Sequence, residues 1–231
     1  MKSLYLLPFI LVLASANLAV DFSTYDLPPR NFFSCLSQQN VTKVILEISD
    51  EQGNINQNFL KSYIRAHDAN IKDFDAIVRI NDSLDVEQIW DKISDAIPAS
   101  FNGTVWLDVQ DNQNLWSLNV SQRLQYLSLS VRIGQYYKDA FKVGVVSSAD
   151  AWTHVMGTQG VGNEILNNVQ VWYSNDNEAQ NFHDFEYAGF GTWKAAAAGM
   201  KSYTGDTMIC NYYASSVNYY EVPQTLKLRL E

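Results

Sequence analysis

The chain has 231 residues, 47% of them hydrophobic and 18% charged, with eleven Gly and five Pro. That length suits one domain with a substantial core, and the composition excludes collagen-like, disordered and low-complexity classes. Sixteen basic residues against 25 acidic give a net charge of −9, and Lys and Arg are scattered singly, so neither nucleic acid nor an anionic membrane is an expected partner.

Residues 1–16 read as a secretion leader. Met1-Lys2 supplies a positive start, Leu4 to Leu13 is apolar apart from Pro8, and Ala14-Ser15-Ala16 has the small-x-small form of a cleavage site. The apolar run is too short to span a bilayer. Residues 17–231 are then expected as a single domain, a monomer without membrane insertion, secreted or delivered to a lysosomal or digestive-vacuole lumen. In such an oxidising setting Cys35 and Cys210, which share no zinc or CxxC spacing, either form a disulfide or remain two buried thiols. A bridge would close a loop of roughly 175 residues, worth on the order of 5 kcal/mol by chain entropy. Asn-x-Ser/Thr sequons stand at Asn40, Asn81, Asn102 and Asn119.

In chain order, β-rich runs fall at Leu18–Phe22, Lys43–Ile48, Phe74–Ile80, Thr104–Val109, Lys142–Ser147, Val169–Tyr173 and Thr207–Asn211. Helical periodicity separates the first five. Asn56 to Asn70 places Phe59, Leu60, Tyr63 and Ile64 on one face. Asp85 to Ile97 repeats the pattern with Val86, Ile89, Trp90 and Ile93, Asp85 serving as N-cap, and Leu118 to Ala140 is a longer helix. The helical signal fades after Gly162, and Ala195–Ala198 reads as one helical turn. The alternation predicts an α/β fold: a modified TIM-like barrel of about five βα units, followed mainly by strands and loops.

In such a barrel ligands collect at the carboxyl ends of the strands. The polar residues there are Asp21, Glu47 followed by Asp50, Asp108 with Gln110, Ser147-Ser148, and Tyr173 followed by Asp176. Carboxylates beside Trp and Tyr suit a glycosidase cleft, and also a divalent-cation site. Six Trp and thirteen Tyr offer flat faces for sugar rings. His67, His154 and His183 lack metal-ligand spacing, and no GxSxG, P-loop or dinucleotide fingerprint follows a strand. No cofactor and no resident metal are expected.

Several segments then fall into a known order. Ala19-Val20-Asp21-Phe22-Ser23 ends a first strand in aspartate, and Val105-Trp106-Leu107-Asp108-Val109 forms a fourth. Val143-Gly144-Val145-Val146-Ser147-Ser148, with Trp152 and Met156-Gly157 beyond it, forms a fifth, and Val171-Trp172-Tyr173 with Asp176 a sixth. The series resembles the glycoside hydrolase family 25 lysozymes. Phe182–Phe185, Gly189–Trp193, Lys201–Asp206, Asn218-Tyr219 and the positions of Cys35 and Cys210 are similar to the protist and nematode branch. The resemblance implies a muramidase that cuts the β-1,4 bond between N-acetylmuramic acid and N-acetylglucosamine in peptidoglycan. It places Asp21 and Asp108 in the catalytic site and Trp152, Trp172, Tyr173 and Asp176 along the sugar-binding groove. In the family a fourth-strand Asp-x-Glu supplies the acid that protonates the leaving oxygen, and a neighbouring aspartate steadies the substrate's own N-acetyl group as it attacks. Positions i and i+2 of a strand face one side, so both enter the groove.

The chain departs from that pattern at its centre. The motif reads Asp108-Val109-Gln110, and an amide cannot deliver a proton near neutral pH; losing a general acid typically costs about 10²–10⁴ in rate. Val146 replaces a groove tyrosine and Ser216 an aspartate, leaving Asn218. Three accounts stand open: hydrolysis with Glu47 or Asp50 supplying the proton, binding of amino-sugar glycans without cleavage, or a structural glycoprotein on the same fold. Wall anions repel an acidic protein at neutral pH, so an acidic vacuole would favour contact.

Overall fold

The computed structural model describes residues 17–22, 25, 27–137, 141–157, 164–191 and 193–220. Residues 1–16, expected as a leader, together with Ser23 and Gly160–Gly162, lie outside the described residues. Eight strands follow one another around a closed barrel in chain order. They are β1 (Asn17–Phe22), β2 (Val41–Ser49), β3 (Asp73–Arg79), β4 (Thr104–Asp108), β5 (Lys142–Ser147), β6 (Gln170–Ser174), β7 (Ala198–Ile209) and β8 (Tyr212–Tyr220). Neighbours from β1 to β7 are parallel, whereas β8 runs antiparallel to both β7 and β1. The expected α/β barrel with five βα units is therefore present.

Five helices return the chain between strands: α1 (Arg30–Gln38), α2 (Phe59–Asp68), α3 (Val86–Ala96), α4 (Val120–Tyr136) and α5 (Ala149–Met156). Their starts follow from local chemistry. Asp85 accepts the Gln88 backbone N–H at 2.9 Å, Asn119 forms a capping box with Gln122, and Ser148 accepts the Ala151 N–H at 3.1 Å, each satisfying an otherwise orphaned donor. Beyond α5 only short helical turns are seen among the described residues, at Glu164–Asn167, Phe185–Ala188 and Ala195–Ala197. The run expected as a separate strand at Thr207–Asn211 is the far end of the long β7 together with the turn at Cys210 and Asn211, and β8 carries too many polar residues to stand out by hydropathy.

Two apolar layers hold the barrel. Between strands and helices, Phe32, Phe33 and Leu36 of α1, Ile89, Trp90 and Ile93 of α3, and Leu127 and Val131 of α4 pack onto the outward-facing strand residues. Gly134 lets α4 approach α3, because a Cβ there would come 2.2 Å from the Trp90 ring. Inside the barrel Ala19, Ile45, Trp106, Trp172, Met200 and Tyr220 form a second cluster, with the Trp106 and Trp172 rings edge to face at 5.8 Å. Gly144 on β5 makes room for Trp106, whose ring would lie 2.4 Å from any Cβ at that position.

Cys35 on α1 and Cys210 at the β7–β8 turn form a disulfide with Cα atoms 5.9 Å apart. Of the two fates open to these thiols, the bridge is the one present. It pins the tip of the closing hairpin to the first helix across 175 residues. Replacing both cysteines by serine is expected to lower unfolding free energy by about 2–5 kcal/mol. Urea denaturation of the double variant against the oxidised parent checks this; an unchanged midpoint would mean that the hairpin is held by packing alone.

Candidate active site

Strand alternation decides which side chains enter the barrel. Asp21 on β1, Glu47 on β2, Arg79 on β3 and Asp108 on β4 are the last inward positions before each strand ends, and Ser216 and Asn218 on β8 complete the layer opposite. They lie one level above the apolar cluster, at the carboxyl mouth.

Asp21 faces Ser216 in the β1–β8 register. The Ser216 hydroxyl donates to Asp21 Oδ1, as does Asn218 Nδ2 at 3.0 Å. The Asn218 amide cannot turn over, because its Oδ1 accepts from Ser202 Oγ at 2.7 Å, and Ser202 in turn accepts from Trp172 Nε1 at 2.7 Å. Burial pushes Asp21 up to about 6 despite the hydrogen bonds from Ser216 and Asn218.

On the other flank Arg79 holds two partners. Its Nε donates to Glu47 Oε1 at 2.8 Å and a terminal nitrogen donates to Gln110 Oε1 at 2.8 Å. A guanidinium has donors alone, so it fixes the Gln110 carbonyl toward itself and aims the amide nitrogen at Asp108, where Nε2 meets Oδ2 at 2.7 Å. The Gln110 backbone carbonyl accepts from Trp116 Nε1 at 3.1 Å. Asp108 is 8% exposed. Burial raises its carboxyl to about 7; Arg79 and Gln110 pull it down, while the charges of Glu47 and Asp21 push it further up.

Asp21, Glu47, Asp108 and Gln110 thus stand at one mouth of the barrel. Asp50 stands just outside. It accepts from the backbone N–H groups of Gln52 and Asn54 and from Asn54 Nδ2, at 2.8 to 2.9 Å, and from the Tyr25 hydroxyl. Although partial burial raises its pKa, these hydrogen bonds outweigh it and hold the carboxyl below the usual range. Asp50 is therefore a turn former and no reservoir of a transferable proton. Tyr25, Glu47, Asp50, Glu51, Gln52 and Arg79 line a cavity of about 300 Å³ beside the layer.

Of the four expected groove contacts, Trp152, Trp172 and Tyr173 are buried and Asp176 is exposed beyond the carboxyl end of β6. Trp152 is 1% exposed and packs against Phe190 and Trp193, with ring centroids 5.1 Å away in each case. Trp172 lies within the barrel, in the apolar layer below the carboxylates. Tyr173, the next residue, faces outward by alternation; it is fully buried and its hydroxyl donates to Asp184 Oδ1 at 2.7 Å. Asp176 is exposed on the following loop, its carboxylate over Gly205 of β7. The aromatic surplus here fills the core, since large apolar rings gain most when removed from water. Arg79 escaped the sequence reading, which sought acids at strand ends; its signal was a cation at the last inward position of β3. Among the described residues no group of three or more His, Cys, Asp or Glu could hold a metal ion, and no helix is long and apolar enough to cross a membrane.

A closed barrel with buried carboxyls at its carboxyl mouth places its candidate site where barrel enzymes place theirs. The family model described as "Lysozyme-like protein 1" matches residues 13–203, and the chain belongs to this lysozyme-like family. It is 26% identical over 204 residues to "Probable GH family 25 lysozyme 3" of Dictyostelium discoideum, covering 87% of this chain but 40% of that relative, so it spans less than half of the relative's length. The bacterial lysozyme of Streptomyces coelicolor superposes with a TM-score of 0.70 at 12% identity, over 94% of this chain and 97% of the other. The modular Cpl-1 endolysin, as a glutamate-to-glutamine mutant in complex with a tetrasaccharide-pentapeptide peptidoglycan analogue, superposes with a TM-score of 0.59 at 19% identity, over 90% of this chain and 54% of that one.

Two outcomes test the electrostatics. Unfolded carboxyls titrate near pH 4, whereas folded Asp21 and Asp108 titrate at about 6 and 7. The folded chain therefore holds more protons in that window, and its stability falls as pH rises through it. Asp108→Asn is expected to stabilise the fold at pH 8 by on the order of 2 kcal/mol and to change little at pH 4. Urea titrations at both values check it; an equal effect at both would refute the raised carboxyl. Separately, Arg79→Met strands the buried Glu47 carboxylate and is expected to cost about 2 kcal/mol, with Glu47→Gln in the same chain restoring part of the loss. A double-mutant cycle that shows no coupling would contradict the pairing.

Proposed function

We propose that the protein is a secreted muramidase-type hydrolase of peptidoglycan in which Asp108 supplies the proton. The carrying observation is the state of Asp108: buried at the carboxyl mouth, raised to about 7, and hydrogen-bonded on Oδ2 by Gln110. That bond leaves Oδ1 to bear the proton. Glu47, the substitute acid suggested by its position, is instead occupied by Arg79. In the proposed reaction the Asp108 proton passes to the glycosidic oxygen as the bond from that oxygen to the anomeric carbon breaks. The substrate's N-acetyl oxygen attacks the anomeric carbon, Asp21 as carboxylate accepts from the acetamide N–H, and water then opens the intermediate and returns a proton to Asp108. An acid of this kind works while protonated, so hydrolysis falls as pH rises through about 7; the Asp21 carboxylate is lost below about 6. The two limits lie close together, which makes the active window narrow. A vacuolar lumen of mildly acid pH suits it and also eases repulsion from anionic walls.

A second reading rests on Gln110, whose amide can hold a glycosidic or acetamido oxygen without cutting. The Cpl-1 complex supports it to this extent: that endolysin carries an amide in place of a glutamate and is seen with a peptidoglycan analogue.

Release of reducing ends from soluble peptidoglycan fragments, measured from pH 4.5 to 8.5 in the parent, Asp108→Asn and Gln110→Glu, separates these. Activity that peaks between about 6 and 7 and falls at least 100-fold in Asp108→Asn is the expected result. Activity that instead climbs through pH 7 would give Asp108 a carboxylate's part and overturn its assignment as donor. A silent parent that still binds the fragments, with turnover gained in Gln110→Glu, would establish the binding reading.

A further inference from the structure

We propose that Asn40, Asn102 and Asn119 carry N-linked glycans and that Asn81 stays bare. The assignment rests on the secreted reading above, and it comes from what the fold does with each sequon. Transfer forms a bond between the asparagine Nδ2 and the anomeric carbon of a lipid-pyrophosphate-linked oligosaccharide. The bond from that carbon to the phosphate oxygen breaks, the lipid pyrophosphate leaves, and the amide nitrogen gives up one proton. A modified asparagine therefore needs an Nδ2 that the folded protein can leave facing water.

Asn40, Asn102 and Asn119 meet that need. All three are exposed. Asn40 ends the turn between α1 and β2 in a left-handed conformation, φ 59°, and is open to solvent there. Asn102 immediately precedes Gly103 and β4, on the rim of a cavity of about 770 Å³ at the amino mouth. Asn119 uses Oδ1 to cap α4 by accepting the Gln122 N–H at 3.1 Å, so capping and an Nδ2 linkage are compatible. Asn40 and Asn102 precede parallel strands and thus lie at the mouth opposite the carboxylates, where a glycan does not compete with a ligand at the carboxyl mouth.

Asn81 is built in. It is 1% exposed, its Nδ2 donates to the Glu51 backbone carbonyl at 2.5 Å, and its Oδ1 accepts the Ser83 N–H at 3.0 Å together with the Ser83 hydroxyl. Glu51 in turn stands 3.8 Å from the Arg79 guanidinium. A sugar on Nδ2 would displace Glu51 and open the edge of the candidate active site.

The test is peptide mapping of the full chain released from a eukaryotic secretory cell line behind a heterologous leader, after deglycosylation that converts each linked asparagine to aspartate. Conversion at positions 40, 102 and 119 and none at 81 is expected. Asn40→Gln, Asn102→Gln and Asn119→Gln are each expected to remove one step of gel mobility, and Ser83→Ala none. Conversion at position 81 in folded, secreted protein would overturn the proposal, as would unmodified asparagine at 40 and 102. Secretion behind the chain's own leader is scored separately. Its failure would count against the secreted reading, while the map obtained with the heterologous leader still decides which sequons the fold accepts.

Discussion

Closure of the barrel through β8 is the constraint on which the rest of the structure depends. A parallel sheet that stopped at β7 would leave β1 with an open edge and Asp21 facing water. Because β8 runs antiparallel between β7 and β1, it brings Ser216 and Asn218 against Asp21 and seals the apolar layer beneath. The same closure produces the electrostatics. Carboxyls standing on a floor of Trp106, Trp172 and Met200 lose much of their hydration, and the charged form is disfavoured. The disulfide acts on this element too, since it holds the tip of the β7–β8 hairpin.

Within the sealed layer, Arg79 decides what its neighbours can do. It occupies the Glu47 carboxylate and fixes the orientation of the Gln110 amide, which in turn donates to Asp108. The Gln110 amide is therefore tied to a cation 2.8 Å away. A glutamate at that position would face the guanidinium and be stabilised in its charged form, which is a poor state for a proton donor. Amide and arginine form a consistent pair, and Asp108, which Arg79 does not touch directly, is the carboxyl raised by burial.

Much of this was legible from the chain. Period-2 runs located β1 to β6, helical periodicity with Asp85 as cap located α3, and strand-end positions marked Asp21, Glu47, Asp108 and Gln110. Those features are local, or repeat with a fixed period. What escaped depends on three-dimensional neighbours. The direction of Trp172 against Tyr173 turns on a one-residue register choice, and both residues look alike in hydropathy. Trp152 lies on a helix whose inner face becomes core only when Phe190 and Trp193 come up from a loop some forty residues later. Arg79 has meaning only once Glu47 and Gln110 are beside it.

The part of the barrel without long helices shows how polar residues can replace them. Beyond β6 the loop of residues 175–184 covers the outer face of β6 and β7, and its anchor is Lys201, which has 0% exposure. A cation removed from water must be paired and hydrogen-bonded. Lys201 Nζ reaches Asp184 Oδ2 and Asn177 Oδ1, both at 2.8 Å, while Tyr173 and Asn175 donate to the same aspartate. These contacts hold Asp184 near 2 despite the opposing effect of its partial burial. Its carboxylate thus stays charged across the pH range in which Asp21 and Asp108 titrate. The outer cover of the barrel is held by the Asp184 carboxylate, which stays charged through that range, and the inner layer by carboxyls that respond to it, so mildly acid pH alters the site without loosening the wall that supports it.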